Sequence, residues 1–460
     1  MGEAQHQETI AVIGGGITGL VAARALANYA VPTTKVVLYE ATDRLGGKIR
    51  TESFAGGTIE AGPDSFLARE PEAVDLCREL GLEDELISPE VFGAALWAGD
   101  ELHRFPADTF FGLPATPAAA LKARVLSPAG RARALGDLVV SGPLTAKDIS
   151  VGDFVTRRFG AEVLERLVDP LLAGTRAGRT DEMSLAAALP HIDALARKHR
   201  SVMRALARER RTQPNLSGPP PFLGIRGGMK RLVDALVNEI SPAIELATGT
   251  PIESIRRVHN GYELRLKGRD VHVDAVLITT PAFDAARLVG ELSPRAAEQL
   301  RTIEYASLAS VSLFYPDAQF SVPENTSGVL VSSKSHRTIS GCTWWSMKWP
   351  EASRQGQVVR CFVGRSSEAD PTTVADEELI SRCSDEVSAL VNSTARPRES
   401  SVTRWPLGLP QYSVGHLDRV RTIEQALSEH DRIAVAGAAY RGSGLPDCIK
   451  QAEKAALTLV

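Results

Sequence analysis

Three glycines and one acid carry the first chemical signal in this chain. Gly14-Gly15-Gly16-Ile17-Thr18-Gly19 contains G-x-G-x-x-G directly after the apolar run Ile10–Ile13, and Glu40 closes a second apolar run, Val36–Tyr39. The first glycine permits a tight turn, the second lets backbone approach a pyrophosphate, and the third lets a helix pack on its strand. A helix starting near Thr18 would aim its N-terminal amides and dipole at phosphate, and an acid about 20 residues on can take both ribose hydroxyls. Taken alone, the glycines would also fit an ordinary turn. Strand, helix, second strand and terminal acid together make this a dinucleotide site.

These residues need a large scaffold. A chain of 460 residues exceeds what one core usually supports and predicts two or three lobes. Hydrophobic residues at 43% and charged residues at 23% are those of a soluble globular protein. With 52 basic and 56 acidic residues the formal charge is −4, which argues against general nucleic-acid binding. Cys77, Cys342, Cys361, Cys383 and Cys448 are scattered without a C-x-x-C pair. That pattern fits free thiols in a reducing cytoplasm and offers neither a disulfide framework nor a zinc or other metal site. The polar start, MGEAQHQET, lacks the segments of a signal peptide, and no run approaches a transmembrane span, so a cytoplasmic location is expected.

Further motifs follow Glu40. Ala41-Thr42-Asp43-Arg44-Leu45-Gly46-Gly47-Lys48 has a glycine pair that would let a loop pass close to phosphate, with Arg44 or Lys48 supplying positive charge; a solvated turn is the plain alternative. Gly62-Pro63-Asp64-Ser65-Phe66 reads as a strand end and a turn. Spacing predicts a helix within 71–90 closed by Gly81, and a mostly helical, alanine-rich stretch from about 92 to 215, with Ser150 as an N-cap. The basic run in Leu195–Arg211 is either a solvated helix face or an electropositive mouth, and Asn215–Pro221 reads as a linker. Short alternating runs from Ile244 to Val273, split by Asn260-Gly261 and Lys267-Gly268, predict hairpins. Trp344, Trp345 and Trp349 are either a core wall or the wall of a pocket for a flat ligand.

Acid-x-x-x-R-x-G-G-K at 40–48, GPDSFLAR at 62–69, DPLLAGTRAG at 169–178, FLGIRGGMKRLVDAL at 222–236, AVLITTP at 275–281, VTRWPLGLPQY at 402–412 and GSGLPDCI at 442–449 span nearly the whole chain. Together they resemble the protoporphyrinogen oxidase family of the amine oxidase superfamily, in its Gram-positive, coproporphyrin-forming branch. The resemblance implies an α/β fold. A Rossmann-like FAD-binding domain would take 8–70, 220–290 and 400–460, a helical insert 85–215, and a mixed-sheet substrate domain 291–399. It also implies noncovalent FAD, with Glu40 on the ribose, Ala41, Arg44, Gly47 and Lys48 along the cofactor, and the backbone of Ile252 against adenine. Gly62, Pro63, Asp64, Ser65, Thr280, Trp405 and Gly437 would lie at the flavin, as would Gly444, Leu445, Pro446, Asp447 and Ile449. Cys448 is expected to be a buried structural thiol.

The implied reaction oxidises coproporphyrinogen III by six electrons, with oxygen as acceptor and hydrogen peroxide as by-product. No catalytic side chain is expected, because the flavin takes the hydride. Arg69, Trp345 and Tyr440 are the substrate-binding candidates, although Arg69 also suits an exposed ion pair with Glu70. Peripheral membrane contact through the helical insert and a ferrochelatase partner are implied by the same likeness. The rival readings are a protoporphyrinogen IX oxidase, an amine oxidase, and a non-catalytic FAD or porphyrin carrier.

Overall fold

A computed structural model describes residues 7–98, 101–139, 147–212, 221–316, 320, 322–323, 325–352, 356–366 and 368–460. The foundation is a five-stranded parallel sheet in the order Glu245–Ala247, Lys35–Tyr39, Thr9–Ile13, Ala275–Ile278, Ile433–Val435. Register is one residue for one, with Ile10 between Val36 and Ala275. These strands are apolar on both faces because both are covered, the expected composition of a parallel sheet. Ile10, Val12, Val36, Leu38 and Leu277 face one core, with helices Ile17–Tyr29, Lys230–Ile240 and Leu445–Ala456. Ala11, Ile13, Val37, Tyr39, Val276 and Ile278 face the other, built from the meander of Ile252–Val258, Gly261–Leu266 and Arg269–Val273 and from helix His416–Leu427. The two-residue period of each strand decides which core each side chain enters.

A seven-stranded sheet forms the second lobe, in the order Glu399–Pro410, Tyr305–Tyr315, Gln357–Val363, Ile339–Trp344, Gly328–Val331, Ala94–Ala98, Glu101–Arg104. Helix Asp376–Val391 covers it through Leu379, Cys383 and Val387. The last two strands correct the expectation of helix from residue 92. Val329 pairs with Ala95 in parallel, so the hairpin extends a distant sheet, which no local periodicity reports. A third core, around Phe154, Phe159, Leu167, Leu172 and Ile192, belongs to the helical lobe. Ser150 caps helix Val151–Arg158 as expected, its hydroxyl accepting from the Asp153 amide at 3.0 Å.

Helix Pro71–Glu79 closes as expected, with Gly81 left-handed (φ +71°) just past the Leu80 C-cap, and the rest of 71–90 leaves as strand Leu86–Ile87. Arg204, Arg208 and Arg211 lie exposed on helix Val202–Thr212, opposite the buried Met203 and Leu206, so this stretch of the basic run is a solvated face. The expected linker falls largely outside the described residues, which omit 213–220. No helix of the described residues is long and apolar enough to cross a membrane.

Gly19 shows how tightly the first helix sits on its strand: a Cβ there would lie 1.8 Å from the Gly14 carbonyl oxygen. Neither backbone segment can yield, so Gly19→Ala is expected to destabilise the fold by about 3 kcal/mol or more. Its melting temperature in the absence of added cofactor checks this.

Candidate flavin site

Four loops separated in sequence meet at the carboxyl ends of the parallel strands, the position where open α/β sheets bind ligands. Helix Ile17–Tyr29 begins at Gly16 without a side-chain cap, leaving its first-turn amides for an anion. The Gly46 amide donates to the Gly15 carbonyl at 2.7 Å, which brings the glycine pair against the first loop. Gly62 closes on the same place: a Cβ on it would fall 1.8 Å from the Lys48 carbonyl oxygen. Gly437, with φ +131°, completes the ring of loops, its Cβ direction facing the Thr18 hydroxyl at 3.6 Å.

Glu40 is fixed by this arrangement. One oxygen accepts from the Gly15 amide at 2.7 Å and the other from the Thr42 amide and hydroxyl, each at 2.8 Å. The two cations of the second motif divide their roles. Arg44 turns inward to the carbonyls of Leu45 and Ile49, both at 3.1 Å, and of Gly47, and so folds the loop. Lys48 makes no ion pair among the described residues, and desolvation lowers its pKa although its side chain is accessible. Protein surrounds this lysine while its side chain stays open to solvent, and an anion beside it would offset its desolvation. The donor set fits a dinucleotide: free amides, an anchored acid and one uncompensated cation.

The 61–65 loop is held from the other lobe. Arg360, 4% exposed, donates to the carbonyls of Ala61 at 3.1 Å and Gly62 at 2.8 Å and to the Ser310 hydroxyl at 2.9 Å. Trp405 Nε1 donates to Ala61 at 2.9 Å, and Lys348 pairs with Asp64 at 2.7 Å. Burial raises the pKa of Asp64, but Lys348 and Arg360 more than offset this and hold it at about 2. Glu60, one residue before the loop, goes the other way. Burial pushes it up to about 7, against the Met229 amide and Thr51 hydroxyl that favour its charged form.

Among the remaining candidates, Ser65 donates to Asp64 at 2.8 Å and Pro63 is exposed. Ile252 lies in the second core with its carbonyl accepting from Arg287 at 3.0 Å, and Gly249 and Thr250 bond the backbone of Thr42 and Glu40. Thr280 has a buried hydroxyl without a partner, whereas the neighbouring Thr279 hydroxyl donates to the Gly14 carbonyl at 2.9 Å. At helix Leu445–Ala456, Gly444 is the N-cap, Asp447 accepts from the Gly444 amide at 3.2 Å, and Leu445 and Ile449 pack into the first core. Cys448 is buried, its thiol pushed up to about 11 by desolvation.

The three substrate candidates do not converge. Tyr440 is 2% exposed in the second core and lends only its carbonyl, which accepts from His416 at 2.8 Å, because its side chain follows the inward face of that segment. Trp344 is core, so the tryptophan cluster splits. Trp345 and Trp349 line a cleft of about 700 Å³ with Glu60, Asp64, Glu90 and Glu351. Among the described residues of its lining four acids stand against one cation, Arg226, a balance that does not favour a polycarboxylate, and the cleft lies on the Trp345 side of the 61–65 loop. Arg69 is exposed, 3.9 Å from Glu70 and 5.9 Å over the ring of Phe110. Sequence reasoning passed over Arg360, although a charged residue inside the apolar strand Gln357–Val363 was a signal. It also missed the stacked Tyr412–His416 pair, 4.0 Å apart, which bonds the carbonyls of Ala438 and Tyr440.

A parallel sheet with a glycine-loop ring at its carboxyl edge and a second lobe gripping that ring is a flavoprotein architecture. The chain belongs to the flavin containing amine oxidoreductase family, whose model matches residues 17–459. Within it, the chain is similar to coproporphyrinogen III oxidases: 33% identical to that of Bacillus subtilis over 97% of this chain and 96% of the relative. It is 34% identical to that of Propionibacterium freudenreichii over 99% and 91%. A solved structure described as a putative protoporphyrinogen oxidase from Exiguobacterium sp. 255-15 superposes with a TM-score of 0.87 at 30% identity, covering 99% of both chains. This is a flavin-dependent oxidoreductase of the porphyrinogen-oxidising kind, with a tetrapyrrole substrate.

A Cβ on Gly16 meets only Gly47 Cα, at 4.0 Å, so Gly16→Ala keeps its melting temperature without cofactor but retains less flavin, read from visible absorbance after gel filtration. For Glu60, a raised folded pKa means its stabilising contribution is full below the unfolded value near 4.5 and lost as pH rises through about 7. Glu60→Gln removes that loss, so the melting temperature of the variant relative to the parent should increase from pH 5 to pH 8.

Proposed function

We propose that this chain oxidises coproporphyrinogen III to coproporphyrin III in haem biosynthesis, using noncovalently bound FAD and molecular oxygen. Six electrons and six protons leave the macrocycle and reduce three oxygen molecules to three hydrogen peroxide. The observation that carries the reading is the likeness to coproporphyrinogen III oxidases, 33–34% over 97–99% of the chain.

FAD supplies the two-electron acceptor and its return to oxygen; everything else is positioning. The amides of Gly16, Ile17 and Thr18, with Lys48, would hold the pyrophosphate, and Glu40 the ribose. The 62–65 loop, Trp405 and the start of helix Leu445–Ala456 would border the ring. The helix terminus there favours negative charge on whatever its amides face. Cys448, with its raised thiol pKa, is a poor tether for flavin. Asp64 is ionised and spoken for by Lys348, which leaves it no proton to exchange near neutral pH. Residues 8–70, 221–290 and 411–460 then act as the cofactor lobe, with the helical lobe and the seven-stranded sheet, which takes in 94–104 and 399–410, closing over the substrate. The protein works in the cytoplasm and passes its product to a ferrochelatase.

The test uses purified yellow protein in air with anaerobically prepared coproporphyrinogen III and protoporphyrinogen IX, followed by porphyrin fluorescence. A kcat/KM at least tenfold higher for coproporphyrinogen is expected. Equal or reversed preference would make it a protoporphyrinogen IX oxidase. Flavin that fails to reoxidise in air after photoreduction would indicate a carrier.

A further inference from the structure

The chain returns from strand Glu399–Pro410 to the parallel-sheet lobe through residues 411–416, and all three lobes meet on this crossing. The Gln411 amide donates at 2.8 Å to the carbonyl of Glu304, one residue before strand Tyr305–Tyr315 of the larger sheet. Its side-chain amide donates to the Arg176 carbonyl of the helical lobe at 3.1 Å, and the Tyr412 carbonyl accepts from the Ser184 amide of that lobe at 2.8 Å.

The side chains of the crossing serve the third lobe. Strand Ile433–Val435 ends at the carboxyl edge of the parallel sheet, and loop 437–444 leads from it into helix Leu445–Ala456. Tyr412 and His416 hold this loop at three points. The Tyr412 hydroxyl donates to the Ala438 carbonyl at 2.6 Å and accepts from the Gly442 amide at 3.0 Å. His416 Nε2 donates to the Tyr440 carbonyl at 2.8 Å, and the two rings stack at 4.0 Å, 17° from parallel. Gln451, on the helix itself, bonds the Gly442 carbonyl at 3.1 Å and the Arg441 amide at 3.2 Å. A clamp on the loop therefore also sets where the helix starts.

Packing does not explain the choice of residues. His416 is 0% exposed, and its Nδ1 has no hydrogen-bond partner among the described residues. An apolar side chain of similar size would fill the space without leaving a buried polar atom unmet. What the imidazole adds is a donor at the Tyr440 carbonyl. Burial holds its pKa down at about 4, so the ring is neutral and its proton stays on Nε2.

The clamped loop borders the ring of glycine loops. The Cβ direction of Gly437 faces the hydroxyl of Thr18, near the start of helix Ile17–Tyr29, and the Cys448 thiol, near the start of helix Leu445–Ala456, bonds the same side chain. Two helix N-termini thus converge on Thr18, each opening on a glycine that supplies no side-chain cap. Such ends favour negative charge, which a flavin gains on reduction.

We propose that Tyr412 and His416 are positioning residues that, by fixing loop 437–444, aim the start of helix Leu445–Ala456 at the flavin and increase its readiness to accept electrons. The inference rests on the flavin reading of this edge given above and does not depend on which substrate is oxidised.

Reductive titration of the FAD-loaded protein against a reference dye tests this for the parent, Tyr412→Phe, His416→Leu and His416→Gln. Tyr412→Phe keeps the ring and the stack and removes only the hydroxyl. At a fixed dye potential its ratio of reduced to oxidised flavin is expected to fall about tenfold below that of the parent. His416→Leu falls in the same direction, and His416→Gln, which restores a donor, recovers part of the loss. Tyr315→Phe is the control. It also removes a buried hydroxyl, 3.5 Å from that of Ser384 on helix Asp376–Val391, and keeps the parent ratio whatever its melting temperature.

An unchanged ratio in Tyr412→Phe, with or without a lower melting temperature, overturns the proposal and makes the pair a structural tie. So does an equal fall in Tyr315→Phe, which marks general loosening. Loss of flavin from both Tyr412→Phe and His416→Gln overturns it too, since the pair would then retain the cofactor and not tune it. No porphyrinogen enters the titration, so a parent that leaves coproporphyrinogen untouched sinks the functional reading and not this one.

Discussion

Backbone packed on backbone is the constraint on which the rest of this molecule depends. Gly19 sits against the Gly14 carbonyl and Gly62 against the Lys48 carbonyl, each at a distance no Cβ could occupy. Only glycine lets four loops from distant parts of the chain share one small volume at the carboxyl edge of the sheet. Their closeness is also what concentrates free amides there, since the first helix starts on a glycine that supplies no cap. A site for an anionic cofactor is therefore a by-product of the packing that the fold already needs.

The second lobe does more than cover this ring. Arg360, Trp405 and Lys348 come from the seven-stranded sheet and its following helix, and all three fasten residues 61–64. Buried carbonyls and a buried carboxylate would be costly without these donors. Satisfying them ties the distance between lobes to the shape of the loop expected beside the flavin. The neighbouring cleft at Trp345 and Trp349 is a consequence of that junction, and its acidic lining separates it from the surface a polycarboxylate would seek.

Likeness to amine-oxidising and porphyrinogen-oxidising flavoproteins shares one scaffold, and chemistry is chosen by what lies around the ring. In this chain the distinctive charge is Lys48, desolvated and with no acid partner among the described residues, which suits an anion beside it.

The sequence by itself determined the apolar strands of the parallel sheet, the glycine loops and the acid at residue 40. Each is a local pattern, a short apolar run or a glycine where no side chain fits. Family motifs carried the flavin and the substrate class. What only the tertiary structure decided were relations between distant segments. The hairpin at 94–104 joined a sheet whose other strands begin at residue 305. Tyr440 turned into the core, Arg44 turned inward to its own loop, and Trp344 parted from Trp345. Arg360 acquired its meaning from carbonyls hundreds of residues away. Charge compensation and sheet pairing are settled by whatever the folded chain brings within a few ångströms, and no window of sequence contains that information.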